Sequence, residues 1–379
     1  MRRLHFIWFA HQPFFIPDDE VRWRVHCSYV PLIDAFCERS IPFSFALTGA
    51  LLERLQRIEP GFLELLRERH VAGDLLIAGA PAHHPMLPWL STNAGRAQIR
   101  VDREVREAIG LPRADVLWPT ELAWSMTVGH LACDEGYGTV VIDSRTRDRI
   151  NVVPQWQNAG DRLAPKNEQI ERLRCTSRLV LDLEADRTLS LWVREAKLSH
   201  LLVHLVRDNE VSEGERLVRF LHVLDTLRSN AVSANAPLLL GEDVERVLPD
   251  GIAAFLQLLD DLKESGVSFC SAGDFARSSP AEATSYVPAG TMEGEDALWE
   301  QSMDDRCFRQ QLERVTTRME ERINLAEPRD REERFWRDRL LRIQDSGFYF
   351  WRYVARTRRP FYDELHEIEA WLNSHLAAR

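Results

Sequence analysis

Titratable or aromatic side chains directly follow a short apolar run at five places in the chain. Leu4–Ala10 leads into His11-Gln12-Pro13, and Leu75–Ala78 into Gly79-Ala80-Pro81-Ala82-His83-His84-Pro85. Val116–Trp118 leads into Pro119-Thr120-Glu121-Leu122-Ala123-Trp124, Leu189–Val193 into Arg194-Glu195, and Leu238–Leu240 into Gly241-Glu242-Asp243-Val244-Glu245. This is the chemical inventory of a carbohydrate site: carboxylates for bond breaking, His and Arg for hydroxyls, and Trp as a flat apolar face for a sugar ring. Most glycoside hydrolysis needs two carboxylates, one to protonate the departing oxygen and one to attack the anomeric carbon or activate water. Glu121 and Asp243 are the best-placed pair, each just beyond an apolar run and beside other polar groups. Every candidate also has a plainer use. A carboxylate at a strand end can cap the amides of the next helix. His11 and His84 can be satisfied half-buried histidines, Trp118 and Trp124 core residues, and Arg194 the partner of Glu195 or Asp182.

Groups from such distant segments meet only if the apolar runs are strands that end together. Further strand-like runs are Phe43–Leu47, Thr139–Ile142, Leu179–Leu183 and Val267–Cys270. Between most of them lie amphipathic stretches; Val21 to Arg39, for example, gathers Val25, Val30, Leu32, Ile33 and Phe36 broadly on one helical face. A βαβα order with short connections predicts an α/β fold, a mainly parallel sheet covered by helices. In a parallel barrel the working residues sit at the C-terminal strand ends, which is where the candidates fall. We expect a barrel over residues 1–275 and a C-terminal helical domain over 276–379, entered through the Ser-, Ala- and Pro-rich stretch Ser278 to Gly290. Asn151 to Thr176, with Pro154 and Pro165, reads as a long loop over the site face. The charged stretch Glu320 to Arg342 reads as a solvated helical face.

The motifs resemble those of glycoside hydrolase family 57, especially its short members, among them archaeal proteins assigned as α-galactosidases. His11-Gln12-Pro13 resembles the first family motif and His83-His84-Pro85 with Leu87-Pro88 the second. Trp118-Pro119-Thr120-Glu121-Leu122-Ala123-Trp124 resembles the third and is the most specific signal; Asp243-Val244-Glu245 resembles the fourth. Arg194 with Leu198-Ser199 resembles a further sugar-site stretch, and Ser285-Tyr286-Val287-Pro288 and Gln344-Asp345-Ser346-Gly347 the C-terminal region. The resemblance implies a (β/α)7 distorted TIM-like barrel, no metal or other cofactor, and a retaining mechanism on α-linked sugars. Glu121 is then the nucleophile and Asp243 the acid/base. His11, His84, Arg194, Glu245 and one of Trp118 and Trp124 hold substrate. The implied activity is that of an α-glycosidase or a 4-α-glucanotransferase-like enzyme. The fourth motif has a second register, in which Gly241-Glu242 takes the Gly-Glu position and Leu240 falls where the acid belongs. That register describes a carbohydrate-binding or regulatory protein on an enzyme's barrel. A barrel deacetylase is a third reading, but it needs an Asp and paired histidines around a metal, and no such triad is apparent in the sequence.

Composition narrows the partners. A net charge of −11 argues against nucleic acid, because phosphate binding needs a concentrated basic face; Arg356-Thr357-Arg358-Arg359 is too short to supply one. No apolar stretch is long enough to span a bilayer, so no membrane partner is expected. The N-terminal apolar run is short and broken by His11 and Pro13, and reads as a strand rather than a leader. The six cysteines form no Cys-x-x-Cys pair, as expected of free thiols in a reducing cytoplasm. The expected partner is an oligosaccharide or polysaccharide substrate, and a homo-oligomer is compatible with the sequence.

Overall fold

The computed structural model describes residues 2–150, 167–184, 187–231, 233, 235–292, 303–350 and 355–374. Among these, ten strands run in chain order: β1 Arg2–Ala10, β2 Phe43–Leu47, β3 Leu75–Ala78, β4 Val116–Leu117, β5 Thr139–Asp143, β6 Arg178–Glu184, β7 Arg187–Arg194, β8 Leu238–Asp243, β9 Val267–Phe269 and β10 Ala281–Thr284. Parallel pairing runs β5-β7-β8-β1-β2-β3, and β4 pairs with β5. A parallel bridge between Gly79 and Leu117 joins the end of β3 to β4 and closes the ring. Seven strands thus form the barrel, the (β/α)7 arrangement expected from the sequence.

Strands covered on both faces read as near-continuous apolar runs. β1 is the plainest case: from Leu4 to Ala10 every residue is buried. Leu4, Phe6 and Trp8 pack outward with Phe36 and Phe255 of the covering helices, while Ile7 and Phe9 join Trp118, Val141 and Leu239 inside the barrel. At Gly241 an added Cβ would stand 2.8 Å from the Trp118 ring and 2.9 Å from Ile7 Cγ2, so the indole packs directly on the backbone of β8.

Three features were not legible in the sequence. β6 runs antiparallel to β7 as an outlying hairpin strand. β10, expected to lie beyond the barrel, extends the sheet beside β6. The helical stretch after Asp18 contains a π-helical turn, Val25–Tyr29. The loop expected over Asn151 to Thr176 falls largely outside the described residues; its end, Asn167–Arg174, is helical.

The C-terminal helices Met303–Glu320, Arg331–Ile343 and Ala355–Ser374 bury Val315, Met319, Leu340, Leu341, Leu365 and Ile368 together, against Ala94 and Ala97 of the helix Thr92–Ala108. Gln98 of that helix donates to Leu341 O (2.9 Å) and Gln344 Oε1 (3.0 Å). Among the described residues no helix is long and apolar enough to cross a membrane, and Cys27, Cys37, Cys133, Cys175 and Cys270 are free thiols.

Candidate active site

A cleft of about 390 Å³ opens at the C-terminal strand ends, lined by Glu121, Asp243, Glu245, His11 and His84 among others. The two carboxylates singled out from sequence therefore share one cavity.

Glu121 sits in a short 3-10 turn after β4 with left-handed backbone angles (φ 52°, ψ 22°), and Leu122 follows at φ 48°. Non-glycine residues there are strained by about 1–3 kcal/mol each and persist only where the surroundings fix them. Here they do. Leu122 N donates to Pro119 O (2.9 Å), Ala123 N to Thr120 O (2.8 Å) and Met292 N to Glu121 O (2.8 Å), while Trp124 and Gly290 exchange backbone bonds of 2.8 and 3.1 Å. The turn is thus clamped by the segment after β10. His84 has the same left-handed twist (φ 54°), so two of the strand ends that build the cleft hold a residue in this conformation.

Asp243 ends β8. Its neighbour in the β1 register is Phe9, whereas Leu240 pairs with Phe6 and is buried in the core. The carboxyl of Asp243 is held well above the usual carboxylate range, first by burial, then by the charge of Glu121, and then by Glu242 and Glu245, with Arg246 opposing. Glu242, one residue earlier, faces the other way. It is almost fully buried, paired with Arg194 and with Arg246 Nη1 at 3.0 Å. Glu245 accepts from Gln12 Nε2 (2.7 Å) and from the hydroxyl of Tyr29, which the π-helical turn carries into the site. Burial pushes the Glu245 carboxyl up, against those hydrogen bonds.

The histidines form the end of a stack. Trp118 lies parallel to Phe9 (5.9 Å, 8°), Phe9 to His84 (4.9 Å, 21°) and His84 to His11 (4.4 Å, 23°). His11 Nδ1 is 3.0 Å from Thr48 Oγ1 and its Nε2 3.0 Å from Asp345 Oδ2. His84 Nδ1 is 3.0 Å from Ser346 Oγ, and Ser346 N donates to His84 O at 3.0 Å. Burial and the neighbouring His11 hold His84 well below its ordinary value, so its ring is neutral. Asp345 and Ser346 come from the C-terminal helical region, a contribution not expected from the sequence, although Gln344-Asp345-Ser346-Gly347 was the available signal. Tyr29 gave no signal, being one aromatic residue inside a helix.

Arg194 and both tryptophans, of which one was expected to touch sugar, are not brought to the cleft lining. Arg194 is fully buried, donating to Gly241 O, pairing with Asp143 Oδ2 at 2.7 Å and with Glu242. Trp118 and Trp124 are core residues, the latter donating through Nε1 to Val287 O at 3.2 Å. A barrel interior needs bulk beneath its site, and a buried guanidinium needs its carboxylates. These demands account for all three.

The Asp-plus-two-His group not apparent in the sequence does assemble in space. One ring nitrogen each of His11 and His84 and a carboxylate oxygen of Asp345 lie within 4.8 Å of one another. A first-row metal sits about 2.0–2.2 Å from such donors, in the plane of each imidazole. Two rings stacked face to face do not aim their in-plane lone pairs at one point, so the group fits a hydrogen-bonded cluster rather than a coordination shell.

Residues 5–288 match the family described as glycosyl hydrolase family 57. The chain belongs to that family. No curated protein matches it. Among solved structures, it is similar to the 4-alpha-glucanotransferase from Thermococcus litoralis (14% identity, 98% of this chain and 60% of that one, TM-score 0.72). It is also similar to the GH57-type branching enzyme from Pyrococcus horikoshii (13%, 100% and 91%, 0.72) and the alpha-amylase AmyC from Thermotoga maritima (13%, 99% and 93%, 0.70). At these identities the likeness concerns the fold, and the family 57 chain here spans 60% of the length of the glucanotransferase.

Proposed function

We propose that this family 57 protein is a retaining glycoside hydrolase or transglycosylase acting on short α-linked glucans, with Glu121 as nucleophile and Asp243 as acid/base. One observation carries the reading: Asp243 lines the same cleft as Glu121, and burial and the charge of Glu121 keep its carboxyl protonated. In the first step Asp243 gives its proton to the glycosidic oxygen as the C1–O bond breaks, and Glu121 attacks C1 to form a glycosyl ester. Forming that ester removes the Glu121 charge, so the Asp243 carboxyl becomes more acidic at the moment it must act as base. In the second step it takes a proton from water or a sugar hydroxyl as that oxygen attacks C1 and releases Glu121. Glu245, His11 and neutral His84 hold the sugar hydroxyls. The cleft volume is at the small end of ligand sites, which favours short oligosaccharides. The free thiols are in keeping with a reducing cytoplasm.

The test is turnover of maltooligosaccharides, nitrophenyl α-glucoside and nitrophenyl α-galactoside, with product anomer read by NMR. We expect α-glucan turnover with retention and loss of at least about 10³-fold in Glu121→Ala, the scale of losing an activated nucleophile. Turnover of the galactoside alone would move the substrate class to α-galactosides. Binding without turnover would favour the carbohydrate-binding reading.

A further inference from the structure

The left-handed turn at Glu121 is only as fixed as the segment that carries Met292, whose N–H donates to Glu121 O at 2.8 Å. That segment, residues 289–292, runs between two neighbours. On one side Gly290 exchanges backbone bonds with Trp124. On the other it lies against the short helix Ser144–Asp148 that follows β5, with no room for a Cβ at Gly290 beside Thr146. Two arginines from this stretch reach carbonyls of the segment. Arg145 Nη1 donates to Met292 O, and Arg149 Nη1 to Ala289 O (2.9 Å). The end of β5 is thereby joined to the turn that follows β4.

We propose that Arg145 is a positioning residue for the nucleophile: its guanidinium, held between Met292 O and His200 Nδ1, fixes the peptide that holds Glu121. This rests on the glycosidase reading, in which Glu121 attacks C1. The partners of Arg145 set it apart from its neighbours. Arg147 is neutralised by Glu195 Oε1 (2.8 Å), and Arg194 by Asp143 and Glu242. Arg145 pairs with no carboxylate among the described residues; Nη1 serves the carbonyl and Nη2 lies 3.2 Å from His200 Nδ1. A guanidinium has only donors, so His200 presents a lone pair at Nδ1 and carries its hydrogen on Nε2. Burial, then Arg194, Arg145 and Arg246, hold His200 down to about 4, so the ring is a neutral acceptor at pH 7. Hydrogen bonds from a cation are stronger than those between neutral groups, and the planar fork sets direction as well as distance. The backbone of Arg145 is fixed as well. Asp143 Oδ1 accepts from Arg145 N (2.9 Å), and Asp143 Oδ2 from Arg194 Nη1 (2.7 Å). From Arg194 the contacts continue to Glu242, the residue before Asp243. One run of polar contacts therefore ties the peptide at Glu121 to the strand end that bears Asp243. Misplacing a reacting group by about 1 Å can cost about 100-fold in rate, which is what such a tie prevents.

The test is Arg145→Ala, read by amide hydrogen exchange and by kinetics on maltooligosaccharides, or on nitrophenyl α-galactoside if only that turns over. We expect kcat to fall about ten- to hundredfold with KM within about twofold, the pattern of a group that serves the transition state and not substrate binding. Exchange at the Met292 amide should quicken at least about tenfold, while the Phe6 and Trp8 amides of β1 exchange as in the parent. Arg145→Lys keeps the charge but not the fork, and should recover only part of the rate. His200→Ala should lower kcat less than Arg145→Ala, and the double variant should be no slower than Arg145→Ala alone, because His200 acts through Arg145. Parent-like kcat in Arg145→Ala, an unchanged Met292 amide, full recovery by Lys, additive losses in the double variant, or equal quickening at Phe6 and Trp8 would each overturn the proposal. If the unaltered protein turns over no α-linked sugar, the glycosidase reading fails by itself, and the Met292 amide alone decides whether Arg145 holds the turn.

Discussion

Asp243 and Glu121 are coupled through space, and the coupling can be measured. Replacing Glu121 by Gln removes the charge that raises Asp243, so its carboxyl should titrate closer to 3.8 in that variant, as read by carbon-13 NMR of the aspartate carboxyls. An unchanged titration would mean that burial and the other neighbouring carboxylates, Glu242 and Glu245, set the value without Glu121. The raised value also bears on stability. With its folded value above its unfolded one, Asp243 keeps a proton that the unfolded chain releases, so it costs stability as pH rises from about 3.8 toward the folded value. Asp243→Asn should therefore unfold at higher urea than the parent at pH 7, with the difference vanishing below about pH 3.8. Each pH unit that separates the folded from the unfolded value contributes about 1.4 kcal/mol to that difference. Activity should fall as pH climbs past the Asp243 value, because the acid is then lost. These two carboxylates were legible in the sequence because each follows an apolar run within an ordered motif. Tyr29 and Asp345 were not, because their roles arise only when segments far apart in the chain meet. The tryptophans and Arg194 misled for a related reason: their positions at strand ends were right, but a side chain at a strand end can turn beneath the site as well as into it.

At the scale of elements, β8 and its neighbours are organised around Arg194, which neutralises Asp143 of β5 and Glu242 of β8 in the barrel interior. Arg194→Ala leaves Asp143 buried without its ion-pair partner and Glu242 with Arg246 alone, and should destabilise by about 3–5 kcal/mol, measured by denaturant unfolding. A variant within about 1 kcal/mol of the parent would show that the network is solvated. Gly241→Ala should cost about 1–3 kcal/mol, because the new methyl would overlap the Trp118 ring and Ile7. The barrel strands could be read from their apolar runs, since burial on both faces leaves little choice of residue. β10 could not: Ala281-Glu282-Ala283-Thr284 is short and half exposed, and pairing with β6 rather than its own composition makes it a strand. The π-helical turn was hidden because its residues are those of any amphipathic helix.

The whole molecule is joined at its site. Helices beyond residue 303 share a core with Thr92–Ala108, and their connecting turn sends Asp345 and Ser346 to His11 and His84. Asp345→Asn should lower kcat/KM by about tenfold, or about 1.4 kcal/mol, through loosened positioning of His11, with the melting temperature little changed. Equal activity would remove Asp345 from the site.

That contact also sets an order in time. A chain grows from its N-terminus, so the strands that bear Glu121 and Asp243 emerge well before residue 345. Until then His11 has no carboxylate partner and His84 no hydroxyl. A prematurely terminated product would hold Glu121 and Asp243 in an unfinished cleft. The contacts of Asp345 with His11 and of Ser346 with His84 thus leave the cleft unfinished until synthesis has run through residue 346.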